Sequence, residues 1–203
     1  MIRPVPRRTG LLPVAGIFLV LSSTAHAHMA VEGAGQIANG ALHPLVTPAH
    51  VLLLLGLGLL LGMQVPLDLK TPLRVFAPVS AIALLLTTSG RIAGVYQPVL
   101  IGIALCIAIL VGLDRKLPRV VRAVLCAVAA VGIGLDSAVE SGSAFEVVKT
   151  LVGTWLGANV AVVYISICAS NGADKKWART GMRVVGSWIV AISLLVLAFS
   201  LRK

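Results

Sequence analysis

Residues 43–65 read HPLVTPAHVLLLLGLGLLLGMQV. From Val51 to Met63 the stretch holds only aliphatic residues, glycine and one thioether, with no charge and no hydrogen-bonding side chain. A run of this kind from Pro48 to Val65 approaches the ~20 apolar residues that cross a bilayer as a helix. Thr47-Pro48 reads as its start, with threonine as cap and proline at the first helical position. Backbone inside lipid must satisfy its own hydrogen bonds, so helix is the form expected.

Working outward, five more apolar segments follow, near 72–89, 94–113, 118–135, 146–170 and 178–200. Over the whole chain 58% of residues are hydrophobic and 12% charged, with a mean hydropathy of +1.01. A soluble domain carries about a quarter of its residues as charges, so the outer surface here is expected to face lipid. The fold class is therefore all-α: a polytopic membrane bundle of about six transmembrane helices, occupying 48–203.

Upstream, Arg3, Arg7 and Arg8 precede a short apolar run from Leu11 to Leu21, and Ala25-His26-Ala27 offers small residues at a cleavage site. Residues 1–27 are expected to be a removed secretory signal. Residues 28–47 mix Gly, Ala, Glu32, Gln36, Asn39 and His43, and are expected to form an exposed, partly helical periplasmic lead-in.

The net charge of +10 does not point to nucleic acid, because the basic residues form short clusters between apolar runs. With His28 exported, the inside loops carry Lys70 and Arg74; Arg115, Lys116, Arg119 and Arg122; and Lys175, Lys176, Arg179 and Arg183. The outside loops carry only Arg91 and Lys149. Arg202 and Lys203 run against this bias and are expected to snorkel to the headgroups. Trp177 fits an interfacial anchor. Cys106, Cys126 and Cys168 lie inside apolar runs with no CxxC spacing, which reads as buried small residues rather than a disulfide or zinc framework.

The same topology sorts the chemistry. Asp68, Asp114 and Asp174 fall inside beside lysine or arginine, while Glu32, Asp136, Glu140, Glu146 and the histidines His28, His43 and His50 fall outside. Imidazole is the commonest ligand of divalent transition metals. His43 and His50, seven apart, lie about 10 Å from each other along a straight helix. Pro44 and Pro48 argue against a straight helix, and a break before Thr47 folds His43 back towards His50. The plain alternative makes His50 a polar residue near the headgroups and His43 a loop residue. Asp136 and Glu140 share a face if the fourth span continues through them, and ionisable groups at membrane depth tend to mark ion pathways; an ordinary acidic loop is the other account. His28, as a free N-terminus, offers its amine and ring as a chelate of the kind copper and nickel favour. In the fifth span Gly153 and Gly157 suggest a packing face, Asn159 lines a path or bonds a neighbouring helix, and Lys149 pairs with Glu146.

An export signal ending in Ala-His, a His-Pro segment with a second histidine seven residues on, and a leucine-glycine first span resemble the HupE/UreJ family. These membrane proteins are associated with hydrogenase and urease and regarded as nickel or cobalt permeases. Against the family pattern HPxxGxDHxxxM, His43, Pro44 and His50 match, while Thr47, Ala49 and Leu54 replace glycine, aspartate and methionine. The family's later His-rich motif, similar to FHGHAHG, has its counterpart in Leu135–Gly142, where Asp136 and Glu140 stand and no histidine occurs. Oxygen ligands hold borderline ions less selectively than imidazole.

The resemblance implies a bacterial inner-membrane protein with a periplasmic mature N-terminus. It would bind or carry a divalent transition metal, nickel or cobalt, with copper admitted through His28. Of the expected metal residues, His43 and His50 carry over from the family motif, while Asp136, Glu140 and His28 are expected from their position in the chain. Expected partners are membrane lipids, the metal ion, and either a second copy of the chain or metalloenzyme maturation proteins. No phosphate-binding GxxxxGK[ST] loop is present, so a permease would run on a gradient or on another chain. A non-transporting metal-binding accessory protein uses the same residues. A serine-type intramembrane enzyme is disfavoured, because no histidine follows His50 to serve Ser141 or Ser143; the chain is not expected to be an enzyme.

Overall fold

The computed structural model describes residues 35–89, 97–139, 142–200 and 202, and among these it is all helix and loop. The expected signal at 1–27, His28 and Glu140 lie outside the described residues. The elements are α1 (Gln36–Val46), α2 (Pro48–Gly62), a π-helical turn (Pro72–Phe76) running into α3 (Ala77–Thr87), α4 (Gln97–Leu113), α5 (Arg119–Asp136), α6 (Ala144–Gly172) and α7 (Lys176–Ser200). Each of the six expected apolar segments is thus a helix within a few residues of its expected bounds.

Proline chemistry sets the breaks. A residue before proline is pushed out of the helical region, and Thr47 adopts an extended conformation ahead of Pro48. The Thr47 hydroxyl does not cap α2; it donates back to the His43 carbonyl at 2.9 Å. α1 and α2 consequently meet at 75°. In the π turn, Pro78 brings no N–H to the ladder, and the Ala77 N–H reaches the Pro72 carbonyl five residues back. At α6 a capping box supplies the start: Ser143 accepts from the Glu146 amide, and the Glu146 carboxylate accepts from the Ser143 amide at 2.9 Å. The Glu146 carboxylate sits on Ser143 within reach of the Lys149 charge, and the Lys149 ammonium lies 4.0 Å from the centroid of the Phe145 ring.

α2 is the central helix. Leu53, Leu54, Leu57, Leu60 and Leu61 are all buried, enclosed by α4, α5 and α6. A helix apolar on every side belongs inside a bundle. Glycine lets α6 come close: a Cβ on Gly58 would meet Ile165 at 2.6 Å, and one on Gly62 would meet Ala169 at 2.5 Å.

Over its described part the lead-in expected at 28–47 is the helix α1, exposed at Ile37, Leu42, Leu45 and Val46 and buried at Gly40 and Pro44. α1 docks on α6, where a Cβ on Gly40 would overlap the Thr150 carbonyl, and Cβ atoms on Gly153 and Gly157 would overlap those of Ile37 and Ala41. The expected packing face of Gly153 and Gly157 is therefore real, and its partner is α1. The Asn159 amide donates to the Trp155 carbonyl of its own helix at 2.8 Å. Of the cysteines, all free, only Cys126 is buried, while Cys106 and Cys168 lie on the outer surface.

That outer surface is apolar, with Val160, Tyr164, Trp177, Trp188 and Phe199 well exposed. A soluble monomer rarely presents so much contiguous apolar area; lipid contact accounts for it. α6 and α7 are each long and apolar enough to cross a bilayer, and the bent pair α1 and α2 together has the length and apolarity of a broken span or a re-entrant loop. Pro72–Thr87 and α4 are shorter apolar helices.

The three basic loops converge at one end. The Gln64 side chain donates to the Arg115 carbonyl at 3.1 Å and accepts from the Leu117 amide at 2.9 Å. Asp114 takes a two-pronged ion pair from Arg179, at 2.7 and 2.6 Å. α2 and α5 therefore run antiparallel, with the basic loops at one end of the pair and His50 and Asp136 at the other.

Candidate metal-capture site

The Thr47-Pro48 break does what the sequence suggested. His43 sits in the last turn of α1 and His50 in the first turn of α2, and the bend brings their ring centroids to 5.5 Å, edge to face at 79°. A straight helix would hold them about 10 Å apart along the axis. His43 is partly buried and His50 wholly so, at 0% exposure.

His50 meets Asp136 across the bundle, its Nε2 lying 2.9 Å from Asp136 Oδ2. Asp136 is the last residue of α5. Just past it the Ser137 amide donates to the Gly134 carbonyl at 3.4 Å and its hydroxyl to the Ile133 carbonyl at 2.7 Å. A carboxylate at a helix C-terminus faces the negative end of the macrodipole and is disfavoured there by ~0.3–1 kcal/mol; the imidazole N–H offsets this. In the neutral tautomer that donates Nε2–H to an ionised Asp136, Nδ1 carries the lone pair. Nδ1 is buried and has no hydrogen-bond partner among the described residues. Leaving such an acceptor unsatisfied costs about 1–3 kcal/mol, which is a reason to look for what it binds.

A histidine that gives one ring N–H to a carboxylate and aims the other nitrogen at an ion is the usual arrangement of a metal-ligating imidazole. In that arrangement Asp136 orients the ligand and strengthens its basicity. The structure thus brings together His43, His50 and Asp136, but among the described residues no three His, Cys, Asp or Glu side chains are gathered into a ready cage. α5 ends at Asp136; Glu140, and with it the shared face expected for Asp136 and Glu140, lies outside the described residues, as does His28.

Sequence reasoning placed Asp136 near the histidines but missed its specific pairing with His50, 86 residues away. It also missed the clamp between α6 and α3, where Trp155 Nε1 donates to the Ala77 carbonyl at 2.8 Å. The docking of α1, which carries His43 into place, was foreshadowed only by the small residues Gly40, Gly153 and Gly157.

No curated protein and no solved structure matches the chain. Its match to the HupE / UreJ protein family runs over residues 16–196, most of its length, and with the apolar helices described above this makes the chain a membrane protein belonging to that family.

Proposed function

We propose that this protein is a membrane permease for a divalent transition-metal ion, nickel or cobalt, and not an enzyme. The observation that carries the reading is the wholly buried His50, held by Asp136 through Nε2, with Nδ1 unpartnered among the described residues and the His43 ring 5.5 Å away. Two imidazoles suit these borderline ions, and the family match over residues 16–196 points the same way. The capture end faces the periplasm in this reading. The chain crosses the inner membrane about six times, its signal is removed after Ala27, and His28 and Glu140 join the capture face. The convergence of the three basic loops at the opposite end supports that orientation. A cation moving inward through an inside-negative membrane gains about 2.3 kcal/mol per charge per 100 mV, enough to drive uptake without a nucleotide. The test is uptake of radioactive nickel and cobalt in cells expressing the chain or the His43→Ala, His50→Ala double variant. Uptake should drop to background in the variant, and equal uptake would refute the proposal.

One observation favours a second reading, a metal-binding accessory protein that passes its ion to a metalloenzyme maturation partner without carrying it across. The side chains following His50 into the bundle, Leu53, Leu54 and Leu57, are sealed in apolar packing. Purified chain that binds nickel stoichiometrically yet moves none into liposomes would establish this reading over the first.

A further inference from the structure

At the basic end, a cavity of about 630 Å³ opens between the loop after α2 and the start of α5. Lys70, Lys116, Arg119 and Arg122 line it against a single carboxylate, Asp68. Basic loops alone need no ligand, since charge bias in loops sets membrane orientation. Arg122 is different. Its side chain is 9% exposed, and its Nε has no hydrogen-bond partner among the described residues.

Asp68 does not satisfy it. The carboxylate already accepts from the Thr71 hydroxyl at 2.8 Å and from the Lys70 amide at 3.1 Å. Arg122 Nη2 stands 3.4 Å and Arg119 Nε 3.8 Å from Asp68 Oδ2. Strong charge-assisted pairs close to about 2.7–2.9 Å, as Arg179 does with Asp114 at this same end. The first turn of α5 opens beside the cavity: its N-cap is Pro118, with no side-chain cap, and no acid stands in that turn. A helix N-terminus beside buried guanidinium favours an anion. The cavity volume falls in the range of ~300–1,000 Å³ typical of ligand sites.

We propose that this cavity binds a phosphate group, that of an anionic lipid headgroup or of a soluble phosphate compound. Arg122 is its buried anchor, and Lys116 and Arg119 are its outer clamps. The site is separate from the metal-capture end and its chemistry is opposite in sign.

The full chain is reconstituted in nanodiscs of phosphatidylcholine with and without phosphatidylglycerol. Retained lipid is counted by native mass spectrometry, with inorganic phosphate and pyrophosphate titrated in parallel in detergent and read as a shift in melting temperature. Retention of phosphatidylglycerol over phosphatidylcholine assigns a lipid headgroup, and stabilisation by phosphate or pyrophosphate assigns a soluble ligand. Loss of one charge-assisted anchor should weaken whichever is bound by about tenfold or more in Arg122→Gln. The Lys116→Gln, Arg119→Gln double variant changes exposed residues, so it keeps the fold and should also lose affinity. Absence of both lipid selectivity and phosphate stabilisation in the wild type overturns the proposal, as does wild-type binding by either folded variant. No metal enters the assay, so its outcome is independent of the uptake experiment.

Discussion

The two ends of the antiparallel α2–α5 pair both hold an acid against a base, and they hold them differently. At one end His50 meets Asp136 at 2.9 Å, with the ring out of solvent and Nδ1 without a partner among the described residues. At the other Asp68 accepts from Thr71 and Lys70, and Arg122 and Arg119 stand off at 3.4 and 3.8 Å. In the first pair the surplus is a lone pair, which suits a cation. In the second it is guanidinium N–H, which suits an anion. The same two helices therefore present opposite chemistry at opposite ends, and which groups remain unsatisfied, rather than which are charged, tells the ends apart.

The largest expected effect breaks the first end outright. His50→Ala removes both the donor to Asp136 and the free nitrogen, and nickel or cobalt uptake should drop to background while the basic end is untouched. Asp136→Asn is milder: the amide still accepts from His50 but loses its charge. Mutating a partner that orients a metal ligand typically costs 10–100-fold in affinity, so metal binding measured by equilibrium dialysis should weaken by about that factor without loss of the fold.

A third substitution sharpens the comparison by moving only His43. Gly157→Leu places a side chain where the Ala41 carbonyl lies, so α1 should be displaced from α6 while the His50–Asp136 contact remains. Overpacking of this kind costs about 1–3 kcal/mol. It should appear as a lower melting temperature together with weaker metal binding than wild type, whereas Gly181→Ala, where a Cβ meets nothing within 4 Å, should change neither.

The smallest effect belongs to Asp68. The Thr71 hydroxyl, with the Thr71 and Lys70 amides and the Arg122 charge behind it, holds its carboxyl below the usual carboxylate range against the opposing effect of burial. A depressed folded value means the stabilisation is complete above the unfolded pKa of about 3.9 and is lost as pH falls through the lower folded value. Asp68→Asn should cost about 1 kcal/mol at neutral pH. Acid melts of the variant should flatten below about pH 4, where the wild type keeps losing stability.

Much of this was legible in the residues. Apolar length located the helices from Pro48 onward, because lipid leaves the backbone no other form. The Pro44 and Pro48 pair announced the bend that joins the histidines, and loop charge grouped Lys116, Arg122 and Arg179 at one end. What could not be read depended on contacts remote in sequence. Nothing local to Gln36–Val46 says that it docks on α6; that follows from backbone approach at Gly40, Gly153 and Gly157. Nothing local to Asp136 says that it ends a helix opposite His50. The expectation of buried cysteines failed at Cys106 and Cys168 because an apolar run in a lipid-facing helix does not say which face turns inward.

The central claim is that His50, held by Asp136, supplies a metal-ligating nitrogen. Its most direct test is X-ray absorption at the nickel edge on the purified full chain, comparing wild type with His50→Ala. The account predicts stoichiometric nickel in the wild type with imidazole scattering in its shell, and loss of both in the variant. Nickel bound to the same extent and with the same imidazole signature in His50→Ala would contradict it.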